Sequence, residues 1–219
     1  YRKKPDIQIP ILSLLEKVSC NVNEPFRTFL PDILPRIMNI IFNNESRDVR
    51  MEALETINIF GPILNEDLHL VIPVLIRLCE ARENAICLDC QKKAIKVLGQ
   101  LTICPNSKEF IPKIVQPLLK KLEKSSHSNK DFIRCIMGVF VQMAIRFRDD
   151  FLPYIPYIQK VLNKCKISHE EYETIANDLC SFNYTSFKEV EAKYKYTNPM
   201  LSNPHILHPG VSKENHSDQ

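Results

Sequence analysis

The sequence predicts an all-α fold, an α-solenoid of stacked helix pairs, and three observations predict it. A proline-marked apolar motif recurs, the apolar residues after it keep helical spacing, and glycine is scarce. The motif reads "FRTFLPDILPRIMNII" from Phe26 and "FLPYIPYIQKVL" from Phe151. A third copy, "FIPKIVQPLLKKL", begins at Phe110, and a fourth, "HLVIPVLIRLC", begins at His69 and keeps only the later proline. Aligned on that proline, the copies fall at Pro35, Pro73, Pro117 and Pro156, at intervals of 38, 44 and 39 residues. The chain has only 4 glycines against 15 prolines, which argues against an all-β protein with many tight turns and against glycine-rich phosphate loops.

Those intervals lie close to the roughly 40–47 residues of helix-pair repeats of the HEAT and armadillo type. The sequence therefore reads as about four HEAT-like repeats plus a partial one. A first helix around Asp6–Cys20 looks like the second half of a unit. Each proline motif then opens the first helix of a pair: Ile37, Met38, Ile40 and Ile41 follow Pro35, and Leu75, Ile76 and Leu78 follow Pro73. Leu118, Leu119 and Leu122 follow Pro117, and Ile158, Val161 and Leu162 follow Pro156. These are the spacings of a helix burying one face. Proline suits a first helical turn, where the amide it lacks has no intrahelical partner. The later proline is therefore expected inside that turn, and the earlier one (Pro31, Pro112, Pro153) in a preceding turn or kink.

The second helix of each pair shows the same periodicity without the prolines. "SRDVRMEALETINIF" puts Val49, Ala53, Leu54, Ile57 and Phe60 on one face, with Ser46 placed as a cap. "LDCQKKAIKVLGQL" does so with Cys90, Ala94, Ile95, Leu98 and Leu101, and "SNKDFIRCIMGVFVQMAI" with Phe132, Cys135, Ile136, Val139, Val141 and Met143. In "SHEEYETIANDL" a capping box from Ser168 to Glu171 is expected. The short polar loops "NNES", "ARENA" and "EKSSHSNK" suit antiparallel neighbours. After about Phe182 the apolar period dissolves. The domain reading is 1–25 as the end of a preceding helical repeat, 26–182 as the array, and 183–219 as a linker or disordered tail.

Composition narrows the function. A net charge of +3 is too small to imply nucleic acid or an anionic membrane. No stretch approaches the roughly 18–20 apolar residues of a membrane span. No signal-peptide cleavage site follows the apolar start, so the reading is intracellular, without direct membrane insertion. The chain opens on Tyr1 rather than methionine and shows no polar capping helix at that end, so it reads as a piece of a longer array. The eight cysteines fall mostly inside apolar helical patterns and read as reduced.

Candidate chemistry is sparse. "CLDC" (Cys87–Cys90) has metal-like spacing, but a zinc site would need two more ligands from among Cys79, Cys104 and His69, and no second close ligand pair exists. The redox alternative wants a helix N-terminus beside a sheet, and no sheet is predicted, so the pair reads as loop or helix cysteines without metal. His169 reads as a solvated first-turn residue, and His205 and His208 have ligand-like spacing without partners. The acidic pairs Asp149–Asp150 and Glu170–Glu171 suit helix starts. The lysines 92, 93 and 96, and 120, 121 and 124, read as solvated faces rather than a phosphate-tracking groove, because no aromatics interleave with them. No Walker loop, kinase loop, nucleophile elbow or zincin helix appears. The expectation is no catalytic, cofactor-binding or metal-binding residue in this segment.

Four strings go beyond generic helical periodicity: "FLPDILPRIMNIIF", "ALETINIFGPILNEDLHLVIPVLIRLCEA", "FIPKIVQPLLKKLE" and "FLPYIPYIQKVLNKCKISHEEYETI". In order and loop length they resemble the middle HEAT array of the target-of-rapamycin (TOR) kinases, within the phosphatidylinositol-kinase-related family. The resemblance covers roughly residues 24–180. It implies a non-catalytic scaffold segment of a Ser/Thr protein kinase in nutrient and growth signalling, supporting dimerisation with a second copy and binding Raptor-like or Rictor-like subunits. ATP and Mg would belong to a kinase domain outside these residues, and the setting would be cytoplasmic, with recruitment to a lysosomal or vacuolar membrane surface. The alternative reading is a free-standing HEAT adaptor of the karyopherin, phosphatase-scaffold or coat-adaptor type, with no kinase activity.

Overall fold

A computed structural model describes residues 5–22, 24–82, 85–125 and 129–194. Among them the chain is all helical. The helices are α1 (Pro5–Val22), α2 (Leu30–Asn43), α3 (Arg47–Phe60), α4 (Leu68–Glu80), α5 (Leu88–Gln100), α6 (Ile111–Ser125), α7 (Lys130–Phe147), α8 (Ile155–Cys165), α9 (Glu170–Cys180) and α10 (Phe187–Lys193). They form two layers. One stacks α1, α3, α5, α7 and α9 in sequence; the other stacks α2, α4, α6 and α8. Within each of the first three pairs the helices also pack on each other across the layers, α2 on α3, α4 on α5 and α6 on α7. This is the α-solenoid that the period predicts, and α1 lies in the layer of second helices.

The core is the shared seam between the layers. Leu34, Ile37 and Ile41 of α2, Val49, Leu54 and Ile57 of α3, and Val71, Leu75 and Leu78 of α4 are all buried. So are Cys90, Ile95 and Leu98 of α5 and Ile136, Phe140 and Met143 of α7. Each helix alone would leave such a stripe in water, so neighbouring units depend on one another for burial. Gly99 faces α7 closely: a Cβ there would collide with the side-chain oxygen of Gln142.

Polar groups repeat the same register. Ser13 donates to Glu52 at 2.8 Å, Thr56 to Glu16 at 2.7 Å, Arg47 to Asp89 at 2.8 Å and Cys104 to the Gly61 carbonyl at 3.0 Å. Further along, Asn106 bonds Asn65, Lys121 bonds the Ala81 carbonyl, Arg146 bonds the Ile103 carbonyl and Lys164 bonds Glu123. All of these join residues 39 to 43 positions apart, one repeat. The sequence period is thus also a spatial one.

The structure corrects three details. First, the later proline does not open most of the helices. α2, α4 and α6 begin at Leu30, Leu68 and Ile111, so Pro35, Pro73 and Pro117 lie inside them; only Pro156 of α8 lies in a first turn. Pro35 and Pro73 are exposed and Pro117 is half-buried. A missing hydrogen bond on a water-facing side leaves its carbonyl to solvent, and a proline there favours a bend convex toward water. The earlier prolines Pro31 and Pro112 lie in the first turns of α2 and α6 rather than in a preceding turn, and only Pro153 lies in a 3-10 turn, Leu152–Tyr154. Short 3-10 turns, Glu24–Phe29, Pro105–Phe110 and Leu152–Tyr154, lead into α2, α6 and α8. Phe26 and Phe110, within the first two, and Phe151, just before the third, are buried as anchors.

Second, Ser46 does cap α3, accepting from the Val49 amide at 3.5 Å, but the cap of α9 sits one residue later than expected. His169 is the N-cap, its Nδ1 accepting from the Tyr172 amide at 3.3 Å. Glu173 returns the bond by accepting from the His169 amide at 3.1 Å and from the Ser168 hydroxyl at 3.0 Å. An imidazole nitrogen can do the work of a hydroxyl oxygen at this position.

Third, residues 183–194 are not a structureless tail. Phe182 takes a left-handed conformation (φ 54°) that turns the chain back after α9, and α10 then buries Phe187 and Val190 against α7 and α9. Seven residues give a helix under two turns, with one apolar pair and no stripe for a periodicity argument to find. The remainder of the sequence-defined tail, with His205 and His208, lies outside the described residues, as does His127.

Candidate interaction surfaces

α1 is the element with two apolar faces. Leu12 is buried against the array, with Leu15 and Cys20 packed beside it. On the opposite side Ile7, Ile11, Leu14, Val18 and Val22 are exposed by 50, 42, 60, 38 and 43%. Their spacing of four, three, four and four residues makes one continuous outward stripe. A helix apolar all round belongs between neighbours rather than at a surface. Single exposed apolar residues are ordinary, but five aligned ones are a packing face.

α1's joint to the array is polar at its rim. Glu16 accepts from Thr56, while Glu52 and Glu55 stand close by and Lys93 forms an ion pair with Glu55. Burial pushes the Glu16 carboxyl above the ordinary carboxylate range, and its acidic neighbours add to this against the Thr56 hydrogen bond.

The opposite edge is closed differently. Tyr194 donates to Glu171 at 2.6 Å and Lys193 pairs with it at 2.9 Å. Tyr184 donates to Asp149 at 3.1 Å, and the Arg148 guanidinium lies over the rings of Tyr184 and Phe187. The Tyr194 hydrogen bond, then Lys193, hold Glu171 below its ordinary range against partial desolvation. His169 is half-buried rather than solvated; burial lowers its pKa, opposed by Glu171 and Glu173. Beneath α10 runs a groove of about 430 Å³ lined by Gly99, Gln142, Arg146, Lys188 and Tyr194.

The other singled-out residues are distributed along the array. Lys93 and Lys121 are inter-repeat clamps rather than free solvated charges, whereas Lys96, Lys120 and Lys124 are exposed. Asp149 and Asp150 lie in a 3-10 turn, where Asp150 pairs with Lys108 of the previous unit at 2.8 Å. His69 is exposed and bonded to the Glu66 carbonyl. Cys87 and Cys90 meet at the start of α5, Sγ to Sγ 3.1 Å. Among the described residues no three of His, Cys, Asp and Glu are placed to share a metal ion, and no helix is long and apolar enough to cross a membrane.

No family model matches the chain. Over 181 residues it is 33% identical to the serine/threonine-protein kinase tor1 of Schizosaccharomyces pombe, covering 82% of this chain and 8% of that protein. It is 28% identical over 175 residues to the serine/threonine-protein kinase TOR2 of Saccharomyces cerevisiae, covering 79% of the chain and 7% of the relative. A third relative, the serine/threonine-protein kinase TOR of Arabidopsis thaliana, is 31% identical over 176 residues, covering 78% and 7%. The chain therefore spans less than a tenth of the length of these relatives.

Proposed function

We propose, because this chain is a TOR-like segment, that it serves as a non-catalytic HEAT scaffold within a Ser/Thr protein kinase. In this reading the array holds the larger protein's parts in register, supports pairing with a second copy, and carries Raptor-like or Rictor-like subunits in nutrient and growth signalling. Phosphoryl transfer with ATP and Mg belongs to a separate domain, and the setting is cytoplasmic or at a lysosomal or vacuolar surface. Residues 1–25 are the end of a preceding repeat.

The observation that carries the proposal is the exposed apolar stripe of α1, Ile7 to Val22, on the helix that heads the layer of α3, α5, α7 and α9. An array whose first described helix is apolar on its free side is built to be stacked upon. The similarity over most of the chain to TOR kinases of three organisms favours this reading over the free-standing adaptor.

The test is immunoprecipitation from the source cells with an antibody raised against residues 26–182. A polypeptide far larger than 25.4 kDa that phosphorylates Ser/Thr peptides in the presence of ATP and Mg is expected. Recovery of a 25.4 kDa species with no associated kinase activity would establish the adaptor instead.

A further inference from the structure

We propose that Cys87 and Cys90 form a reversible dithiol–disulfide pair, a redox modification site at the joint between α4 and α5, separate from the scaffold reading above. Cys87 is the N-cap of α5 and is half-buried, so one thiol of the pair is within reach of a small oxidant. Cys90, one turn on, is fully buried, and its sulfur lies 3.1 Å from that of Cys87, in hydrogen-bond contact. A disulfide would need the sulfurs to close to about 2.05 Å, a sub-turn adjustment within a Cys-x-x-Cys segment.

The pair divides its labour in the way stepwise exchange requires. The helix N-terminus and the Arg47 guanidinium, which pairs with Asp89 between the two cysteines, favour negative charge at Cys87. Partial burial opposes ionisation of Cys87, but the Cys90 thiol and amide and the Arg47 charge outweigh it and hold that thiol below its ordinary range. Burial and the facing sulfur push Cys90 up to about 12. Cys87 is therefore the attacking sulfur and Cys90 the resolving one.

The remaining described cysteines lack such a partner thiol in hydrogen-bond contact. Cys79 and Cys104 are buried, and Cys104 is committed to the Gly61 carbonyl.

The oxidant is a low-molecular-weight disulfide. The Cys87 thiolate attacks one of its sulfurs, forming a mixed disulfide and expelling one thiolate. Cys90 gives up its proton and attacks the Cys87 sulfur, forming the Cys87–Cys90 bond and expelling the second thiolate. The chain loses two electrons and two protons, and the small disulfide becomes two thiols. The product ties the loop after α4, where Gln91 already bonds the Ala81 and Ile86 carbonyls, to the first turn of α5.

The experiment treats the reduced 219-residue chain with oxidised glutathione at neutral pH, followed by intact mass and peptide mapping. The expected result is loss of two hydrogens within the peptide carrying both cysteines, reversed by dithiothreitol. C90S should instead accumulate a glutathione adduct on Cys87. C87S should give neither product, and because it changes only the half-exposed position its helical circular dichroism should match wild type. Free thiols at Cys87 and Cys90 while oxidation goes to Cys20 or Cys180, or an unchanged pair at equilibrium with excess oxidant, would overturn the proposal.

Discussion

At the N-terminal edge α1 turns five aliphatic side chains outward, whereas at the C-terminal edge α10 folds back over α9 and α7 and buries Phe187 and Val190. Both edges face the same problem, since a stacked helix pair always leaves one apolar face without a neighbour. The C-terminal side solves it within the described residues, using a short helix stitched by Tyr194, Lys193 and Tyr184 to carboxylates of α9 and of the 3-10 turn after α7. The N-terminal side leaves it open. Among the described residues an aligned run of exposed apolar side chains is therefore a property of one edge, whereas Phe29, Leu70, Tyr157 and Phe182 are exposed singly.

The largest effect should come from the interior that separates the two edges. Ile136→Asp puts a charge into the fully buried α5–α7 seam and should cost about 4 kcal/mol or more, unfolding flanking units with it; a sharp melting curve unchanged from wild type would contradict stacked repeats. Phe187→Ala at the closed edge should cost about 3 kcal/mol locally. Hydrogen exchange should then accelerate over 184–194 and stay unchanged in α3 and α5; equal protection in both chains would mean that α10 does not depend on its apolar anchor.

Acid should act on the two edges with opposite sign. Glu16 has its pKa raised in the fold, so ionised Glu16 weakens the α1 joint, and lowering the pH toward the ordinary carboxylate value relieves that cost. Glu171 has its pKa lowered, so its contribution is present above the ordinary value and is lost as pH falls through the folded one. Between pH 7 and acid, protection factors, from which the intrinsic pH dependence of exchange is divided out, should rise in α1 and fall in α10, with the second change suppressed in Tyr194→Phe. A change of the same sign at both edges would break the comparison.

Smaller effects sharpen it. The Lys93–Glu55 pair, partly exposed at the α3–α5 joint, should show a coupling of about 0.5 kcal/mol in a double-mutant cycle. Leu14→Glu on the open stripe should change stability within about 0.5 kcal/mol, read as a nearly unchanged thermal midpoint. Loss of folding in that variant would mean that Leu14 packs inward.

Most of the solenoid was legible because its signal is redundant. Four proline motifs and four second helices state the same period, and buried residues such as Leu54, Ile57, Ile95 and Ile136 sit where helical spacing puts them. What escaped was set by single atoms or by neighbours distant in sequence. The Nδ1 of His169 replaces a serine oxygen, and α10 is ordered by α7 and α9 rather than by its own pattern. Pro35 and Pro73 are tolerated inside helices because their side faces water, which one-dimensional spacing does not specify. Of the candidate surfaces, the apolar content of α1 was readable but not which of its residues point outward. The Cys87–Cys90 contact needed the start of α5 to be placed.

The most direct measurement compares hydrogen exchange of α1 in the isolated 219-residue chain with that in the native polypeptide captured from cells. The account predicts that amides of residues 7–22 exchange markedly faster in the isolated chain, while α5, α7 and α10 exchange alike in both. Equal protection of α1 in the two samples would show that its apolar stripe meets no neighbour, and the scaffold reading would lose the observation on which it stands.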